Sequence, residues 1–115
     1  MKLKVHHQLL AMGLSPNELK VYCYLMSCAT DGIAIVRAGR IAERCQISRA
    51  TVQTACTSMA AKGVLSKVNR YADGHLVANA YHLSTFTGRF FMLDADAAVF
   101  GLSGSVFTTY LALLS

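Results

Sequence analysis

Acidic residues are scarce: six carboxylates face eleven lysines and arginines in 115 residues, and charged residues make up only 15% of the chain. Four histidines add little to that supply. General acid–base chemistry needs positioned pairs of such groups, and here they do not cluster. Asp94 and Asp96 sit two apart and would point in different directions on a helix. No G-x-S-x-G, phosphate-binding P-loop or H-E-x-x-H motif occurs. The chain is therefore not expected to be an enzyme, and no catalytic residue or cofactor is read from it.

Cysteine pairing is also missing. Cys23, Cys28, Cys45 and Cys56 form no C-x-x-C pair. A zinc site from Cys23, Cys28 and His6 or His7 would lack the short paired chelates of tetrahedral zinc, so no metal is expected. No basic start followed by an apolar stretch and a small-residue cleavage site marks a secretory leader. The expectation is a cytoplasmic protein whose cysteines are reduced and buried. Only Ala97 to Ser115 is charge-free over a near-membrane length, and Gly101-Leu102-Ser103-Gly104-Ser105 interrupts it, so no membrane span is expected.

Hydrophobic residues make up 54% of the chain, which excludes a disordered tail and suits one domain with a real core. The net charge of +5 points to a polyanionic partner. No small-molecule ligand is evident.

Met1 to Met12 reads as a lead-in. Ser15-Pro16-Asn17-Glu18 then starts a helix, with Ser15 as N-cap, Pro16, the one proline, at the first turn, and Glu18 closing a capping box. Leu19, Tyr22, Cys23 and Met26 give that helix one apolar stripe. Ile33 to Val36 is a short β-like run. A second helix covers about Ala38 to Cys45, with Ile41, Ala42 and Cys45 inward. A third starts at Ser48 with Val52, Ala55, Cys56 and Met59 inward, and Gly63 ends it. Val64 to Tyr71 and Leu76 to Leu83 read as strands around an Asp73-Gly74 turn. The fold class is mainly α with a small β-hairpin.

The stretch Arg40-Ile-Ala-Glu-Arg-Cys-Gln-Ile-Ser-Arg-Ala-Thr-Val-Gln-Thr-Ala55 resembles the helix-turn-helix of winged helix DNA-binding proteins. Ile41 and Ala42 match inward positions of the family's scaffold helix, Ile47 the apolar turn residue, Ser48 the recognition-helix cap and Val52 its first anchor. Lys62-Gly63-Val64-Leu65 matches the lead into the wing. Gln46 departs from the pattern, because the turn often has glycine there; a left-handed backbone costs a non-glycine residue ~1 kcal/mol. The resemblance implies a three-helix core plus a wing over residues 1–84.

A recognition helix needs an apolar side for its own core and a small polar side for base edges. Arg49, Ala50, Gln53, Thr54 and Thr57 face outward on the third helix; Arg suits guanine, Gln adenine, and the methyl groups thymine. Ser48 and Thr51 lie at its start, where free N–H groups favour phosphate. Between Arg37 and Arg70 stand seven basic residues and one acid, Glu43. Arg40, Arg44 and Lys67 belong to that charge surface, and Lys62 taken alone reads as a solvated charge. Asn69, Arg70 and His75 sit near the wing tip, with Arg70 best placed for the backbone or minor groove. Tyr71 reads either as a residue that stacks or packs on a sugar or as a half-buried hairpin tyrosine, and His82 reads as structural. The expected partner is double-stranded DNA.

Residues 85–115 read as a helical segment that repeats the start of the chain. A shift of 88 residues gives six identities in the fifteen positions of 13–27 against 101–115, where chance supplies about one. This segment is either the start of a second winged-helix copy or a dimerisation element. Its apolar residues need cover, from the opening helix or from a second chain as a homodimer. The pattern fits a bacterial transcription regulator, and it also resembles N-terminal domains of plasmid and phage replication initiators of the RepA type. A winged helix used as a protein-interaction module is a further reading.

Overall fold

A computed structural model describes residues 1–115, apart from the side chain of Leu76. The chain opens with strand β1 (Lys2–His6) and a short helix α1 (His7–Leu10). Helix α2 (Pro16–Cys28) begins at the capping box read from the sequence. Ser15 Oγ accepts the Glu18 N–H at 3.2 Å, and Glu18 Oε1 accepts the Ser15 N–H at 3.2 Å. Strand β2 (Ile33–Val36) alternates, with Ala34 and Val36 inward and Ile33 and Ile35 outward.

Helices α3 (Ala38–Cys45) and α4 (Arg49–Ala61) follow. Ile41, Ala42 and Cys45 of α3 are buried, as are Val52, Ala55, Cys56 and Met59 of α4. Between the two helices Gln46 has φ 55° and ψ 49°. The turn is thus left-handed at the position where glycine is missing. It is held by the Ile47 N–H donating to Ala42 O at 3.0 Å.

Strands β3 (Leu65–Val68), β4 (Tyr71–Ala72), β5 (His75–Leu76) and β6 (Asn79–Leu83) make a two-stage hairpin. Asp73 and Gly74 form its turn with φ values of 52° and 79°, the two positive angles a tight hairpin turn of this type requires. The two long strands expected here are broken, because β6 carries one more residue than β3 between the pairs Val68↔Ala80 and Tyr71↔Leu76. That excess bulges the hairpin. The lower stage joins β2 in a three-stranded antiparallel sheet of order β2-β6-β3.

Residues 85–115 are not all helical, contrary to expectation. Strand β7 (Phe90–Asp94) pairs antiparallel with β1, so the lead-in is structured as well. Alternation decides this: Leu3, Val5, Phe91 and Leu93 point inward and their neighbours outward. Asp94 therefore lies on a strand and meets Lys2 Nζ at 3.0 Å, while Asp96 caps helix α5 (Ala97–Phe100) through the Val99 N–H. Helix α6 (Gly104–Leu114) closes the chain.

The 88-residue shift carries β1 onto β7, the cap Ser15 onto the cap Ser103, and the first residue of α2 onto the first residue of α6. Lys4 pairs with Met92, its own counterpart under that shift. An antiparallel pair centred on equivalent residues is what a local two-fold relation generates. The segment covers the second side of α2. All eight residues from Glu18 to Leu25 are buried, where one stripe was expected. Tyr24 packs edge-on against Phe100 at 5.4 Å, and Phe100 stacks near Phe107 at 6.4 Å.

Lys20 is buried at the centre of this arrangement. Its ammonium donates to Cys45 O at 2.9 Å and to Leu102 O at 2.6 Å, tying α2 to the end of α3 and to the loop before α6. Burial pushes its pKa below the usual lysine value. Cys23, Cys45 and Cys56 are buried, but Cys28 is exposed, because it ends α2 beyond the covering elements.

Candidate nucleic-acid interface

Helix α4 presents its apolar stripe to α2 and α3 and leaves an uncharged polar face outside. Ala50, Gln53, Thr54 and Thr57 are all exposed on it. Ser48 fixes its start: the Ser48 Oγ accepts the Thr51 N–H at 3.0 Å and lies 2.8 Å from Thr51 Oγ1. Those two hydroxyls are engaged with each other, and Thr51 is half-buried.

The face divides along its length. Ala50, Thr51 and Thr54 border a groove of about 330 Å³ toward Ser15, Asn17 and Glu18. Arg49 and Gln53 border a different cleft, of about 260 Å³, which Lys67 and Asn69 close from the hairpin side. The hairpin and α4 thus bring four of the expected residues together. Arg70 and His75 stand farther out, exposed, on the hairpin's upper stage.

Arg40 and Arg44 are placed elsewhere. They line a cleft with Tyr24, Cys28, Asp96 and Phe100, against the C-terminal segment. Lys62 is not a free charge either. Its ammonium donates to Gly13 O at 2.9 Å and to both Glu18 carboxylate oxygens at 3.2 Å. Burial raises the Glu18 pKa, but the hydrogen bonds from Ser15 and Lys62 outweigh it and hold the carboxyl below its usual value.

Two residues beside α4 were not singled out from the sequence. A Cβ built on Gly39 would stand 2.6 Å from an Arg49 guanidinium nitrogen, so the arginine lies flat across the start of α3 because residue 39 has no side chain. A glycine inside a helical pattern costs about 1 kcal/mol against alanine and signals such a packing reason. Asn79 on β6 is 7% exposed and also lines the cleft. Nothing in the alternation of the strand marked it.

No group of His, Cys, Asp and Glu among the described residues could hold a metal ion. No helix among them is long and apolar enough to cross a membrane. No curated protein and no solved structure matches the chain. Residues 12–64, which run from the approach to α2 through α3 and α4, match the family described as a helix-turn-helix domain.

Proposed function

We propose that the protein binds double-stranded DNA as a winged helix-turn-helix module and acts as a bacterial transcription regulator. The observation that carries this is the outer face of α4. Ala50, Gln53, Thr54 and Thr57 offer hydrogen-bonding and methyl groups without charge. Arg49 and Lys67 place cations along the hairpin side of that face. Neutral reading groups beside phosphate-neutralising charges are what major-groove recognition requires. In this reading α4 enters the groove and the β3–β6 hairpin acts as the wing, with Arg70 and His75 reaching the backbone. Arg40 and Arg44 take no part in that surface. The chain acts in the cytoplasm, without catalysis or a cofactor.

The paired repeat favours a second reading, the DNA-binding part of a plasmid, phage or mobile-element replication initiator. Site selection from random duplexes separates the two. An inverted repeat supports a regulator and a direct repeat an initiator. If no duplex binds even at low salt, both fall, and a protein-interaction module takes their place.

The C-terminal segment packs on helix α2 of the same chain, with Phe91, Leu93, Val99, Phe100, Phe107 and Leu111 buried. Val106 and Leu113 stay exposed beside a groove of about 320 Å³. A homodimer through α6 would cover them; a light-scattering mass of one chain at high concentration rejects it.

A further inference from the structure

The cleft between α4, the start of α3 and β6 contains more than a reading helix needs. Asn79 is buried, and its Nδ2 donates to the Tyr81 hydroxyl at 3.4 Å, but its Oδ1 has no partner. Turning the amide over would only transfer the vacancy to Nδ2, since Tyr81 can serve one amide atom. A buried amide oxygen without a hydrogen bond is destabilising, and such groups mark sites completed by something else.

The surroundings say what that is. Asn79 lines two adjoining cavities, of about 260 Å³ and about 240 Å³, which share Ala38, Arg49 and Asn79. Lys67 borders the first and Arg37 the second, and neither contains a carboxylate. Helix α3 also begins here, with no acidic residue in its first turn and no side chain capping its N–H groups. Its positive end thus adds to three cations. At this volume the cleft falls just below the ~300–1,000 Å³ of drug-sized sites, so it suits one small unit.

We propose that this cleft binds a single nucleotide unit. The phosphate lies against Arg37, Arg49 and the start of α3, and an amine on the base edge donates to Asn79 Oδ1. Gly39 serves the same site by letting the Arg49 guanidinium lie flat where the phosphate is held. The unit is supplied either by bound DNA or as a free nucleotide; the first source rests on the DNA-binding reading above, the second does not.

The test uses the full chain with two substitutions, Asn79→Leu and Gly39→Ala. Asn79→Leu removes an unpaired polar atom but also the hydrogen bond to the buried Tyr81 hydroxyl, and Gly39→Ala improves a helix while pushing only the flexible end of Arg49 aside. Cooperative thermal melts establish that both variants fold, and Gly39→Ala, which breaks no hydrogen bond of the core, is expected to melt at or above the parent's temperature. Binding is measured to a labelled random duplex by anisotropy, and to AMP, CMP and GMP by amide chemical-shift changes, with inorganic phosphate as a control.

Duplex affinity lower by about tenfold in both variants, with mononucleotides inert, assigns the unit to DNA. Mononucleotides that shift the Asn79 and Arg49 signals of the parent, but not of Asn79→Leu, assign a free nucleotide. Phosphate alone reproducing those shifts with equal affinity overturns the base contact and with it the proposal. Variants that bind every probe like the parent overturn it too, as does an Asn79→Leu protein that is less stable and binds unchanged. A parent that binds no duplex rejects the DNA-binding reading, and the mononucleotide measurement then decides this proposal by itself.

Discussion

Gly104 faces Pro16 so closely that a Cβ added to it would lie 2.9 Å from the proline Cβ. The two residues are 88 positions apart and open equivalent helices, so the contact sits where the repeat meets itself. A proline ring cannot rotate away, and a side chain at residue 104 must lift the start of α6. Gly104→Val is expected to lose about 1–3 kcal/mol of stability, the usual cost of overpacking. Urea unfolding followed by tyrosine fluorescence would show it as a lower midpoint. An unchanged midpoint would mean that α6 does not hold this seat on α2.

The residues around that contact also show where sequence reasoning stops. Ser15, Pro16 and Glu18 announce α2 because a cap is a local hydrogen-bond pattern, and the Asp73-Gly74 turn is legible for the same reason. The outward face of α4 follows from its period once Ser48 marks the start. The pairing of β1 with β7 is different: it joins residues about ninety positions apart, and each strand shows only five residues of alternation. Lys20 is harder still. A lysine reads as surface, and only the convergence of Cys45 O and Leu102 O makes its burial tolerable. Asn79 and Gly39 belong with it, since their roles depend on what another element brings beside them.

Gln46 occupies the left-handed corner of the turn between α3 and α4 with φ 55°. An L side chain there crowds the following carbonyl at a cost of ~1–2 kcal/mol, part of which glycine gives back through its freer unfolded chain. Gln46→Gly is therefore expected to raise stability by about 1 kcal/mol without altering DNA binding. Paired thermal melts and duplex titrations would check both halves. A fall in stability would show that the Gln46 side chain, whose Nε2 stands 3.1 Å from where a Cβ on Gly101 would lie, contributes more than the strain it imposes.

The contact between Lys62 and Glu18 predicts an acid sensitivity. Burial alone would raise the Glu18 pKa, but hydrogen bonds from Ser15 and Lys62 prevail and lower it below 4.5. A carboxyl with a depressed folded pKa contributes stability that is present above its unfolded value and lost as pH falls through the folded one. Denaturation midpoints measured downward from pH 5 should thus fall, and Glu18→Gln should flatten that fall while being less stable at neutral pH. Equal acid slopes for the parent and Glu18→Gln would remove Glu18 from the acid transition.

Cysteine reactivity should single out one thiol in four. Burial pushes Cys23 and Cys45 up to about 12 and Cys56 up to about 11, which leaves almost no thiolate at neutral pH. Cys28 is exposed. A thiol reagent should label the native chain once, at Cys28, and reach the other three only in denaturant. Cys28→Ser should then show no rapid labelling. Rapid labelling of Cys45 or Cys56 would mean that the core between α3 and α4 opens readily.

DNA binding itself separates groups that read from groups that hold. Gln53 lies on the uncharged face of α4, so Gln53→Ala should cost ~1–3 kcal/mol on a selected site and little on random duplex. Lys67 borders the cleft beside α4, so Lys67→Ala should weaken every duplex alike and reduce the slope of log affinity against log salt by about one unit. Arg44 carries the same charge but lies toward Asp96 and Phe100, so Arg44→Ala should leave that slope unchanged. The Arg44 arm is the sharpest of the three, because net charge alone predicts equal losses for Lys67 and Arg44. Equal slopes in those two variants would mean that attraction is spread over the whole cationic chain, and the surface built by α4 and the hairpin would lose its claim to the backbone.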